Sequence, residues 1–461
     1  MTKKNKTVFV CQECGYESPK WLGQCICGAW NSFVEEKLPS IDVDDARRRS
    51  GTAHGGKPST ATPLRDIRTG EYSRIETGIG EFDRVLGGGI VKGSLVLVSG
   101  EPGIGKSTII MQAAQNIAAR GIKVLYISGE ESEEQVRIRA DRVCGVISET
   151  LFILSETNME NIAAVCDTLK PGFVITDSIQ TMYTEELDSA PGSVSQVRSC
   201  GNALMKIGKT GDIPIFIVAH VTKSGELAGP KIVEHLVDCV LSFTGERGHD
   251  LRIIRSYKNR FGTTSEIGAF RMEDKGLVEI NDLSATFLDS TGEKPEGSVV
   301  SAVYEGSRPV LMEIQALTAP ANVGFARRTA VGIDYQRLSM ILAVLERKAG
   351  LTMINQDVYV NVVGGLKPDS TSVDLATALA VYSSLRGVRC PRRVIALGEV
   401  GLTGELRSTG NADKIAAEAA RMGYEQIIVP SRTAQQLGAA VGKCRVTGAA
   451  DLTDAINLFR E

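Results

Sequence analysis

Four short stretches of the chain, residues 95–98, 124–127, 173–175 and 213–219, are apolar at nearly every position. Runs of that length and character are typical of strands buried on both faces of a sheet. Between the first two, residues 109–117 are instead apolar at helical spacing, and Gly121 stops the pattern. Residues 251–256 add a further strand. Interleaved strands and helices predict an α/β domain. After Asn281-Asp282 and Lys294-Pro295-Glu296-Gly297 the chain changes character. Residues 297–316 alternate apolar and polar, and helices with short strands follow.

The junction between the first strand and the first helix carries the clearest chemistry. Gly100-Glu101-Pro102-Gly103-Ile104-Gly105-Lys106-Ser107-Thr108 fits the pattern G-x-x-x-x-G-K-[ST], with strand, glycine loop and helix start in order. Its glycines let successive N–H groups and the helix N-terminus face a polyphosphate. Lys106 is placed to reach the β- and γ-phosphates of ATP, and the Ser107 hydroxyl to hold Mg²⁺. An NTPase is the expectation.

The later strand ends supply matching groups. The strand at 124–127 runs into Ser128-Gly129-Glu130-Glu131-Ser132, where a carboxylate can orient the attacking water. Position favours Glu130 over Glu131, the alternative being two charges that only dress a helix N-terminus. Phe173-Val174-Ile175-Thr176-Asp177 ends in an acid suited to Mg²⁺. The next strand ends at His220, a position for sensing the γ-phosphate or for a satisfied strand-end histidine. The glycine-rich loop from Lys223 to Lys231 carries two lysines and suits a DNA contact. Lys258 and Arg260, one residue apart after the strand at 251–256, suit a finger reaching a neighbouring subunit's γ-phosphate.

Composition narrows the field. A chain of 461 residues is too long for one core and points to about three domains. A formal net charge of -3 excludes a generally basic nucleic-acid coat, so DNA contacts need local patches or a channel built by several subunits. No apolar run approaches a membrane span, and the start lacks a secretory signal. Six of the ten cysteines are scattered in apolar contexts, as in reduced proteins, so the expected compartment is the cytoplasm. The other four, Cys11, Cys14, Cys25 and Cys27, suit tetrahedral Zn²⁺. Trp21 and Trp30 lie among them, either as the small core of this knuckle or as a stacking surface, with the core the expectation. The segment after the knuckle, rich in Asp, Ser, Thr, Gly and Pro with an Arg47-Arg48-Arg49 run, reads as a linker.

Resemblances sharpen this reading. Ile75-Glu76-Thr77-Gly78-Ile79-Gly80-Glu81-Phe82-Asp83 and Leu86-Gly87-Gly88-Gly89-Ile90 resemble the lead-in of RecA-like ATPases. The cysteine knuckle running into Gly15-Tyr16-Glu17-Ser18-Pro19-Lys20-Trp21-Leu22-Gly23, the phosphate loop and Lys258-Asn259-Arg260-Phe261-Gly262 together resemble the bacterial RadA (Sms) DNA-repair family. That resemblance implies a RecA-like motor assembled as a hexameric ring. It implies binding of single-stranded and branched DNA, branch migration of recombination intermediates, and work beside a RecA-type recombinase. Lys258 and Arg260 also match the trans-acting pair of replicative hexameric helicases.

Gly306-Ser307-Arg308-Pro309 and residues 398–407 resemble the proteolytic domain of Lon, raising ATP-dependent proteolysis as a rival function. Alignment puts Ser372 at the nucleophile position and Asp413, not lysine, at the base position, with Lys414 one place on. A residue on a helix turns about 100° from its neighbour, so Lys414 points elsewhere and the domain is expected to be inactive. The second rival is a RecA-like regulatory ATPase or kinase switch. The expected domains are a zinc knuckle (1–34), a linker (35–72), a RecA-like ATPase domain (73–283) and a Lon-protease-like domain (284–461).

Overall fold

The computed structural model describes residues 7–11, 16–37, 63, 65, 73–220, 231–245, 250–288, 295–321, 326–364, 367–368, 370–391 and 393–460. Cys14, the Arg47-Arg48-Arg49 run, the 221–230 loop with Lys223, Lys294, Asp369 and Arg392 lie outside them. The chain forms two compact units, Met1–Glu279 and Ile280–Glu461.

The first unit begins with a three-stranded antiparallel sheet in which β1 (Thr7–Cys11) lies between β2 (Glu17–Ser18) and β3 (Phe33–Lys37). β3 continues three residues past the expected knuckle boundary at 34. The interior of this small sheet is Cys11, Cys25 and Phe33, with Phe9 and Ala29 against them. Trp21 and Trp30 are 51% and 70% exposed, which corrects their expected place in the core. So few residues enclose no space for an indole once the thiols converge.

A short ribbon, β4 (Arg74–Ile75) with β5 (Ile90–Val91), brackets helix α1 (Gly80–Leu86) and leads into the main sheet. Six strands of that sheet run parallel: β6 (Leu95–Gly100), β7 (Val124–Ser128), β8 (Leu151–Ser155), β9 (Phe173–Asp177), β10 (Ile215–His220) and β11 (Cys239–Thr244). An antiparallel meander, β12 (Leu251–Asn259), β13 (Ile267–Glu273) and β14 (Gly276–Glu279), extends one edge. The spatial order is β14-β13-β12-β11-β6-β10-β9-β7-β8.

The period of two explains the continuous apolar runs. Val96 and Val98 of β6 join Tyr126, Ile175 and Phe216 on one face, whereas Leu95 and Leu97 join Leu125, Ile127 and Ile217 on the other. Helices α2 (Lys106–Ala118) and α3 (Glu133–Cys144) bury Ile109, Ile110, Val136 and Ala140 on the first face. Helices α4 (Met159–Leu169), α5 (Val194–Gly211) and α6 (Lys231–Leu236) cover the second with Ile162, Val197, Leu204 and Val233. Burial pushes the thiols of Cys144 and Cys166 up to about 11 and those of Cys200 and Cys239 to about 12. They are packing residues, not nucleophiles.

The second unit is an eight-stranded mixed sheet. It is built on the hairpin β15 (Ser298–Glu305) and β16 (Arg308–Pro320), with β17 (Arg328–Val331) and β18 (Gln356–Val362) on one side. On the other side lie β19 (Val394–Ala396), then β22, β24 and β23 toward the edge; β20 (Glu399–Val400) and β21 (Leu406–Arg407) pair apart from it. These three are β22 (Gln426–Pro430), β23 (Ala440–Val441) and β24 (Cys444–Ala449). The unit opens before the expected 283/284 boundary for a local reason. Asp282 caps helix α7 (Leu283–Phe287), accepts from Arg421, and is followed by Ser284, which donates to Glu418. These bonds tie residues 282–284 to the second unit.

Candidate nucleotide site

The carboxyl ends of β6, β7, β9 and β10 are level, with Ser128 opposite Asp177 and His220 opposite Gly100. Ligands of open parallel sheets bind above such ends, where connections leave in opposite directions. The phosphate loop bridges β6 and α2 there. Gly100 (φ 153°) packs where a Cβ would lie 2.9 Å from the Cβ of Phe243. Gly105 (φ 116°) starts α2 in a conformation that favours glycine. Helices α3, α4 and α5 carry side-chain caps at Ser132, Asn158 and Ser193. Helix α2 has no side-chain cap and no acid in its first turn, which leaves its N–H groups for an anion.

Lys106 is 3% exposed and folds back over the loop. Its Nζ donates to Gly100 O at 2.8 Å and Glu101 O at 3.1 Å, and lies 3.2 Å from Nδ1 of His220. Burial pulls this ammonium down to about 8, while Asp177 and Glu130 act the other way. Ser107 and Thr108 follow in the first turn of α2. Asp177 is 8% exposed and accepts from the Tyr126 hydroxyl at 2.6 Å. Burial, and then the Asp177 charge, raise that hydroxyl well above its ordinary range, so it stays a donor.

The structure separates the two adjacent glutamates. Glu130 accepts a hydrogen bond from Ser178 Oγ and lies 3.3 Å from Nε2 of His220, so it belongs to the cluster above the strand ends. Glu131 is turned to α3, where it pairs with Arg139. Lys106, His220 and Glu130 thus form one continuous contact chain.

Lys258 and Arg260 stand apart from this cluster. Lys258 Nζ donates to Glu234 O at 2.7 Å, and Arg260 Nη1 to Asp238 Oδ1 at 3.1 Å. Asp238, 4% exposed, also receives Lys209 and the Leu95 N–H through Oδ2. Both cations therefore project toward α6 and the turn before β11. Burial, then Arg260, lower the Lys258 ammonium from its ordinary value.

The linear pattern of the chain gives little sign of Tyr126, Ser178 and Asp238. Only Tyr126 left a trace, a hydroxyl inside an otherwise apolar strand.

In the N-terminal sheet the Sγ atoms of Cys11, Cys25 and Cys27 all lie within 4.8 Å of one another, with Cys11 and Cys27 3.9 Å apart. Four sulfurs about 2.3 Å from a tetrahedral zinc ion are separated by about 3.8 Å. The thiols present fit that ion. Cys14, the expected fourth ligand, is outside the described residues.

In the second unit, Ser372 is 2% exposed and its Oγ donates to Ala302 O at 3.0 Å. Helix α10 places Asp413 in its first turn and sends Lys414 to the Tyr304 hydroxyl at 2.8 Å, over that ring. This helix spans Ala412–Arg421 and follows α8 (Tyr335–Lys348) and α9 (Asp374–Arg386) in the chain. Among the described residues no side-chain base bonds Ser372. Ser372→Ala is expected to orphan the Ala302 carbonyl and cost about 1–3 kcal/mol. Urea unfolding monitored in the second unit reads that loss, and ATP turnover is expected to stay unchanged.

Comparison with known proteins places these features. A family model described as KaiC ATPase matches residues 75–151, which hold the phosphate loop and Glu130. One for subunit ChlI of Mg-chelatase matches 319–433, and a rubredoxin metal-binding model matches 9–35. The DNA repair protein RadA of Bacillus subtilis (strain 168) is 49% identical over 433 residues, 93% of each chain. That of Listeria monocytogenes serovar 1/2a is 49% identical over 428 residues, 93% of this chain and 92% of its own. That of Streptococcus pyogenes serotype M1 is 45% identical over 455 residues, 98% and 99% respectively. The chain belongs to the RadA family of DNA repair proteins. This RadA-family member is an ATPase of DNA repair, with a RecA-like α/β core, an N-terminal rubredoxin-like ribbon and a ChlI/Lon-like C-terminal unit. No helix among its described residues is long and apolar enough to cross a membrane.

Proposed function

We propose that this RadA-family ATPase is a DNA-dependent motor that binds single-stranded DNA and drives branch migration of recombination intermediates as a hexameric ring. The observation that carries the reading is the placement of Lys258 and Arg260. Both leave the nucleotide cluster of their own subunit and point to one side, at α6 and Asp238. A cation pair in that position serves a phosphate held by the next subunit, and such a head-to-tail contact closes into a ring.

Within each site Gly100 to Thr108 wraps the polyphosphate, Lys106 exchanges its carbonyl partners for phosphate oxygens, and Ser107 and Asp177 hold Mg²⁺. The ion, when bound, neutralises charge on the β- and γ-phosphate oxygens. Glu130 orients water, and His220, in contact with both Lys106 and Glu130, senses the γ-phosphate. Cys11, Cys14, Cys25 and Cys27 hold Zn²⁺ in the ribbon. A RecA-type recombinase is the proposed protein partner, the cytoplasm the proposed compartment, and the Lon-like unit a scaffold without protease activity. Burial of Ser372 and the turn of Lys414 toward Tyr304 support that last role.

Steady-state ATP turnover with and without single-stranded DNA tests the proposal. DNA is expected to raise the wild-type rate, and Lys106→Ala and Lys258→Ala each to lose that response. In an equal mixture of the two variants about a quarter of interfaces combine an intact loop with an intact finger, so about a quarter of the rate returns. Turnover indifferent to DNA would favour a regulatory switch. A DNA response without recovery in the mixture would remove the trans finger.

A further inference from the structure

Tyr126 is 1% exposed on β7, two residues before the strand end, and its hydroxyl donates at 2.6 Å to Oδ2 of Asp177 on the neighbouring strand β9. Its ring packs in the apolar cluster beneath α2, a setting that phenylalanine would fill equally well. The hydroxyl is therefore the only part of the side chain that packing does not call for. A buried phenol must find a partner, and here it finds the carboxylate that ends β9. Among the described residues, the other Asp177 oxygen, Oδ1, has no hydrogen-bond donor. One oxygen is pinned, and one is left to act.

We propose that Tyr126 is a positioning residue for the magnesium ion, holding the Asp177 carboxylate in one rotamer with Oδ1 directed to the cation or to its water. This rests on the reading that Asp177 holds Mg²⁺. Groups that hydrogen-bond a metal's ligand fix its orientation, and losing one typically weakens metal binding about 10–100-fold. The bond also spends one acceptor site of the carboxylate on protein, so Asp177 offers the cation a single defined oxygen rather than a rotating pair.

The test uses the full-length chain and its Tyr126→Phe, Asp177→Asn and double variants. A fluorescent ATP analogue is titrated in EDTA, and Mn²⁺ binding to the nucleotide complex is then followed by electron paramagnetic resonance. Tyr126→Phe is expected to leave the EDTA affinity within about twofold of wild type while weakening Mn²⁺ about 10-fold or more. If the hydroxyl works through Asp177, the double variant binds Mn²⁺ no worse than Asp177→Asn alone. Equal losses in EDTA and with Mn²⁺ would mean a packing role and overturn the inference. Unchanged Mn²⁺ binding in Tyr126→Phe, with a loss in Asp177→Asn, would overturn it while sparing Asp177. No loss in Asp177→Asn would remove the reading of Asp177 and the inference together.

Discussion

Glu130→Gln is expected to lower ATP turnover about 10²–10⁴-fold, the range that removal of a positioned proton acceptor produces, with nucleotide affinity nearly unchanged. Glutamine keeps the size and can still accept from Ser178, so the loop above the strand ends stays in place. What disappears is the charge that orders and polarises the attacking water. Glu131→Gln is the matched control. Its partner is Arg139 on α3, and losing that pair removes no group from the cluster above the strand ends. Single-turnover hydrolysis, read beside a fluorescent nucleotide titration, separates chemistry from binding. If Glu131→Gln were the inactive variant, the assignment would be reversed.

Removal of the ribbon metal is the second large effect expected. Structural zinc in small modules contributes about 10–16 kcal/mol of binding free energy at neutral pH, and that energy is folding energy. The ribbon has little else, since its interior is Cys11, Cys25 and Phe33 with two partly buried neighbours. Cys25→Ser is therefore expected to lose the metal and unfold residues 7–37, while nucleotide binding in the ATPase domain persists. Elemental mass spectrometry should find about one zinc per wild-type chain and a fraction of that in the variant. Limited proteolysis should then cut the ribbon of the variant only. Retained metal with a protease-resistant ribbon would argue that Cys25 is not a ligand.

The architecture was legible wherever one residue type has one physical use. Short continuous apolar runs, too brief for helices and rich in β-branched residues, fit strands covered on both faces, and β6, β7, β9 and β10 form where those runs lie. The glycines of the loop and the acid closing β9 were readable because chain geometry and charge leave them few alternatives. Choosing between Glu130 and Glu131 was a different matter. Both follow the same strand, and only the third dimension shows that Arg139 takes one and Ser178 the other. Asp238 was invisible for the same reason: its partners Lys209, Arg260 and Leu95 come from three separate elements. The tryptophans misled because large apolar side chains usually go inside, and a sheet of this size closed by thiols has no inside for them. The strand β12 was also longer than its apolar pattern, since pairing with β11 continues through Lys258 and Asn259 after the alternation ends.

The exposure of Trp21 and Trp30 has an optical corollary. They are the only two indoles in 461 residues, and both sit at the surface of the ribbon. Excited at its red edge, the whole protein glows from that one module, at the long wavelengths of indoles in water. Any macromolecule that covers these exposed indoles is expected to change the colour or brightness of that light. The chain carries its own lamp, fixed to the ribbon.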